Sequence, residues 1–142
     1  MPETKVFGKQ KVTLYFPDLL KCELSGEYVV EEAREISKEL ARLFPDPAMD
    51  TFSLNDVSQV RTATVAARKH VSNWYRARKG TAHLAVVGAS LAMRTLATMV
   101  ANAMRLINSN FHLRFFAEER DALRWFQEKG CRAAEEALRS LR

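Results

Sequence analysis

From Val57 to Ala117 the chain contains no aspartate and no glutamate. Such a stretch cannot supply a carboxylate pair for acid–base chemistry or an oxygen cage for a hard cation. Cysteine is scarce as well. Cys22 and Cys131 stand far apart and outside any metal-ligand spacing, so they read as two unpaired thiols rather than a disulfide framework. The three histidines, His70, His83 and His112, have neither a His-x-x-x-His partner nor carboxylate company. Each reads as structural, and neither a metal nor a cofactor is expected. No apolar run approaches the roughly 20 residues of a membrane span. The opening Met1-Pro2-Glu3-Thr4-Lys5 is too polar for a secretory leader, so a cytoplasmic location is expected. Five glycines and four prolines form no linker or low-complexity segment, and residues 1–142 read as a single domain.

What the acid-free middle does contain is positive charge: Arg61, Arg68, Lys69, Arg76, Arg78, Lys79, Arg94, Arg105 and Arg114. Residues 1–56 are acidic on balance and residues 118–142 are neutral, so the net charge of +5 resides in the centre. A positive surface there favours an anionic partner.

Residues 11–16 and 20–24 alternate apolar and polar on either side of Pro17-Asp18, which predicts a β-hairpin. Val29, Ala33, Ile36, Leu40, Leu43 and Phe44 follow helical spacing, with Glu31, Glu32, Glu35 and Glu39 elsewhere on the wheel, and Pro45-Asp46-Pro47 ends that helix. A short strand is expected over 51–54. Val60, Ala63, Ala67, Val71 and Trp74 predict a second helix closed by Gly80. Residues 82–87 are nearly all apolar, as a central strand covered on both faces should be. Ser90 is expected to cap a third helix running to about Asn108. A strand over 111–115 follows, then a helix whose first turn holds Glu118, Glu119 and Asp121, and after Gly130 a helical tail over 129–142. The fold class is therefore α/β, with one mixed, largely parallel sheet of about five strands flanked by four helices plus the tail.

This succession resembles the STAS superfamily (sulfate transporter and anti-sigma antagonist), above all the branch called SpoIIAA-like. The residues that carry the likeness are Ala82-His83-Leu84-Ala85-Val86-Val87-Gly88, the apolar helix after them, and the stretch from Phe115-Phe116-Ala117-Glu118-Glu119 to Ala122-Leu123-Arg124-Trp125-Phe126. The likeness spans residues 9–128. It implies a bacterial signalling domain, not an enzyme, that docks a protein partner and self-associates as a homodimer. Phosphorylated members carry an Asp-Ser-Ser-Gly-like turn with its serine at the start of the second helix. By that resemblance the hydroxyl position falls on Ser58 or Thr62, with Thr64 a further candidate for a phosphorylation switch, although the Asp-Ser-Ser-Gly itself is absent.

Three surfaces are candidates for contact. Arg61, Arg68, Lys69 and Arg76, beside Trp74-Tyr75, read as a solvated helix face, a docking zone, a nucleic-acid face or a membrane-surface helix. Nucleic acid is disfavoured, because no basic tail or strand-borne aromatic spacing accompanies the cations. The third helix is apolar nearly all round and must bury a second face against the sheet, a partner copy or an apolar ligand. Met93, Val100 and Met104 are the residues expected to remain after core packing. Gly88-Ala89-Ser90, with Arg94 a turn further on, offers a weak anion site for the head of such a ligand. No nucleophile–base–orienter set can be assembled, and no catalytic residue is assigned.

Overall fold

The computed structural model describes residues 2–107 and 110–141. The expected helix end at Asn108 and the last residue of the 129–142 tail lie outside them. Six strands form one sheet in the order of the chain: β1 (Glu3–Phe7), β2 (Gln10–Tyr15), β3 (Leu19–Tyr28), β4 (Thr51–Ala63), β5 (Ala82–Val87) and β6 (Phe111–Phe116). The pairs β1–β2 and β2–β3 are antiparallel, and β3 through β6 run parallel. The expectation of about five strands is thus one short, because β1 carries no apolar alternation and owes its place to pairing with β2.

Helices cover both faces of the sheet. One layer holds α1 (Val30–Leu43), α2 (Val65–Arg76) and α3 (Leu91–Ile107), and the other holds α4 (Glu119–Glu128) and α5 (Ala134–Arg139). The alternation of side chains along each strand sorts the core accordingly. Val12, Leu14, Leu20 and Cys22 pack under α1, and Val57 and Val86 extend that cluster toward α2 and α3. Tyr15, Leu19, Phe52, Leu54, Ala85 and Val87 pack under α4 and α5. All six residues of β5 are buried, which explains its continuous apolar run. The two thiols sit in opposite layers, both buried and free. Burial pushes each up to about 12.

Buried polar groups lock the elements together. The fully buried Gln10 donates from Nε2 to the Ser25 carbonyl (3.0 Å) and to Glu32 Oε1 (3.0 Å), and accepts from the Ser25 N–H at 2.8 Å. Asp18, in the β2–β3 turn, accepts from the backbone N–H groups of Arg132 (2.8 Å) and Ala133 (2.9 Å), which ties down the start of α5. Arg78 donates to the carbonyls of Phe44 (2.7 Å) and Asp46 (2.8 Å), so this member of the basic series braces the end of α1.

The main departure from the expected pattern is β4. It runs 13 residues rather than four. Its second half pairs with Ser25–Tyr28 through two register shifts, as far as Tyr28 opposite Ala63. Val60 and Ala63 therefore belong to a strand, where β-branched Val57, Val60 and Thr62 fit the pleat. The helix begins only at Val65, and it ends at Arg76, with Ala77 as its cap, short of Gly80. Gly80 serves a different purpose: a Cβ there would collide with the Met49 carbonyl oxygen.

Candidate functional site

Between α2 and α3, over the parallel part of the sheet, the side chains leave a groove of about 150 Å³ with an almost wholly apolar wall. Its floor is Leu24, Val57, Leu84, Val86 and Leu113, from four adjacent strands. Val71 and Tyr75 form the α2 wall; Met93, Leu96, Ala97, Val100 and Met104 form the α3 wall. The spacing of the α3 residues follows from the helix repeat, since positions three and four apart share a face. Tyr75 is held edge-on between Trp74 (4.8 Å between centroids) and Phe111 (5.5 Å), which fixes the closed end. Burial raises the Tyr75 phenol well above its usual range, so it remains protonated.

One cation belongs to this groove. Arg68 lines it from the first turn of α2, and its Nε is buried without a hydrogen-bond partner. The other expected contacts fall elsewhere. Lys69 and Arg76 are exposed on α2, and Arg61 is exposed on the far half of β4. Ser90 is used as a helix cap, accepting from the Met93 N–H at 3.2 Å. Arg94 lies 5.1 Å over the Phe115 ring. None of these converges with Arg68 on one point.

The three hydroxyl candidates separate as well. Ser58 and Thr62 are exposed on β4, not at a helix start. Ser58 donates to Asp56 Oδ1 at 2.7 Å and abuts Gly88, where an added Cβ would lie 2.9 Å from the Ser58 Cβ. Only Thr64 stands at the second helix, and its Oγ1 is engaged as the cap, accepting from the Ala67 N–H at 3.1 Å.

On α3 the burial differs from expectation. Met104 is 1% exposed, hence core rather than left over, while Met93 and Val100 are half-buried against the groove. Leu91 (83%), Met99 (60%), Leu106 (89%) and Ile107 (55%) are the apolar residues left outside. The apolar content of the helix was legible in the sequence, but a helix apolar all round gives no phase from which to tell inner face from outer.

Of the histidines, His70 stands apart, while His83 and His112 are neighbours on adjacent strands. His70 Nε2 lies 2.9 Å from Ser37 Oγ of α1. His83 is buried and stacked 4.6 Å from Phe52, and His112 is exposed on β6. Among the described residues no three His, Cys, Asp or Glu side chains come together as a metal site would require. No helix among them is long and apolar enough to cross a membrane.

No family model matches this sequence, and no curated protein matches it significantly. Solved structures do match. An uncharacterized protein of the DUF3478 family with a SpoIIAA-like fold, from Shewanella loihica PV-4, superposes with a TM-score of 0.57 at 13% identity, covering 88% of this chain and 91% of that one. The anti-sigma factor antagonist SpoIIAA in its unphosphorylated form superposes with a TM-score of 0.52 at 12% identity, covering 92% of this chain and 99% of that one. At such identities the likeness is one of architecture, and the architecture of this chain is the SpoIIAA-like fold.

Proposed function

We propose that this protein is a non-enzymatic binding domain of regulatory type, and that its binding element is the α2–α3 face, which holds a small apolar guest. The supporting observation is the groove itself, almost wholly apolar in its wall and opening between two helices rather than closed within the core. A cavity near 150 Å³ lined by aliphatic and aromatic side chains is the size that admits a benzene-like ring or a short alkyl chain, at about 0.8 kcal/mol for each methylene removed from water. A weakly polar or anionic end of the guest would meet Arg68, the one cation among the described residues of the lining, whose Nε has no hydrogen-bond partner. Native mass spectrometry of protein taken gently from its own cells, followed by solvent extraction, tests this reading. A discrete added mass that extracts into organic solvent is expected. A uniformly bare chain in every preparation contradicts it.

A second reading, docking onto a protein, is favoured by the outward row of Leu91, Met99, Leu106 and Ile107. One of the similar structures is named as an anti-sigma factor antagonist. The two readings are compatible, since a guest wedged against the inner side of α3 would alter how its outer side is presented.

A further inference from the structure

The other face of the sheet carries a second concavity, with no lining residue of the groove except Leu113. Its origin is a matter of register. Strands β5 and β6 run parallel with His83 opposite His112 and Ala85 opposite Arg114. The two-residue repeat therefore sends His83, His112 and Arg114 toward α4. The imidazole centroids are 6.1 Å apart. The Arg114 guanidinium lies 5.2 Å from both the Phe116 and the Trp125 rings, which hold it against an aromatic wall. Trp125 of α4 and Lys129, the residue that caps that helix, flank it, and Arg105 from the last turn of α3 completes the rim. With Thr81 and Leu113 these residues enclose a cleft of about 470 Å³.

The charged side chains that line it are all cationic, and the Asp50 carboxylate outside the lining accepts from the Thr81 N–H at 2.9 Å. Arg105, Arg114 and Lys129 converge there, no carboxylate lines the cleft, and none of the three cations is ion-paired among the described residues. At the other edge of the sheet, by contrast, Lys5 and Arg42 share Glu39, and on β3 Lys21 meets Glu119 at 2.9 Å. Three like charges focused in a concave wall repel one another until an anion enters. Guanidinium and imidazole N–H groups and the Thr81 hydroxyl supply directed donors for its oxygens. A liquid water occupies about 30 Å³, so the cleft has room for far more than a bare ion. Three cations also favour a dianion over a monoanion.

We propose that this cleft binds a phosphate monoester, with the phosphate held by Arg114, Lys129 and Arg105 and the organic part lying along Trp125 and His112. Calorimetric titration of the full chain at low salt, with ribose 5-phosphate, inorganic phosphate and acetate as probes, tests it. Vesicles of phosphatidylcholine with and without phosphatidic acid form a second arm. Ribose 5-phosphate is expected to bind once per chain and more tightly than acetate. Arg114→Gln and Lys129→Gln should each weaken it about tenfold, the loss of one charge-assisted contact. Arg76→Gln, an exposed cation of α2, should leave it unchanged. Arg105→Gln, at an exposed position, keeps the test decisive if Arg114→Gln fails to fold. Binding to phosphatidic acid vesicles that the same variants abolish supports phosphate recognition and assigns it to a lipid headgroup. Binding of ribose 5-phosphate alone supports it and assigns it to a soluble ester. The proposal is overturned by the absence of saturable binding at millimolar probe, by acetate binding as well as phosphate, or by Arg76→Gln weakening affinity as much as Arg114→Gln.

Discussion

Thr64 ends β4 and begins α2 within a single residue: its N–H donates to the Tyr28 carbonyl at 3.0 Å, and its hydroxyl caps the helix through the Ala67 N–H. Thr64→Ala should cost about 1 kcal/mol of stability, read from urea unfolding, while Thr62→Ala, on the exposed strand, should cost much less. His83 gives a pH signature. Burial holds its folded pKa below the ordinary 6.5, opposed by the Thr51 carbonyl and by Asp50, and assisted by His112 and Lys129. The unfolded chain therefore takes up a proton that the folded chain refuses. The stabilising contribution is complete above about pH 6.5 and is lost as pH falls from there toward the depressed folded value. His83→Phe, which keeps the stacking on Phe52, should flatten the drop in urea midpoint between pH 7.5 and pH 5.5. A drop of unchanged size would assign it to other groups.

Elements with a strong local pattern were legible in the sequence. The hairpin, α1, β5, β6 and α4 have alternation or helical spacing of their own, and each fell within a few residues of its place. What escaped depends on distant partners. The second half of β4 is a strand because Ser25–Tyr28 lie beside it, and that pairing leaves no trace in the spacing of Val60 and Ala63. The groove was half visible: the apolar content of α3 announced a second buried face, but Tyr75, Leu24 and Arg68 join it only through the packing of α2. The basic cleft was visible only as unassigned arginines, because the α3 rim and the α4 wall meet across the sheet edge. At this scale the outer side of α3 yields a prediction. Met99→Glu with Leu106→Glu should leave the melting temperature within a few degrees of wild type, since both residues are exposed, yet abolish any self-association seen by light scattering. Unchanged association would place the interface on another surface.

Taken whole, the molecule is a mixed sheet between two helical layers that differ in character. On the α4–α5 side Phe126 packs edge-on to Phe52 and against Trp125, and Asp18 anchors α5. The α2–α3 side carries the apolar groove, while the basic cleft opens beside α4 at the β6 edge. An apolar groove on one face and a basic cleft at the edge of the other suit recognition, since a guest can be taken up at either without disturbing the rest of the core. The most direct test of this account is methionine-methyl NMR of the full chain titrated with toluene. Met93 and Met104 line the groove while Met99 points to solvent, so the protein contains its own control. The account predicts saturable shifts of the Met93 and Met104 methyls, none at Met99, and loss of the response when Ala97→Phe fills the space. Shifts at all three methyls alike, or at none, would contradict it.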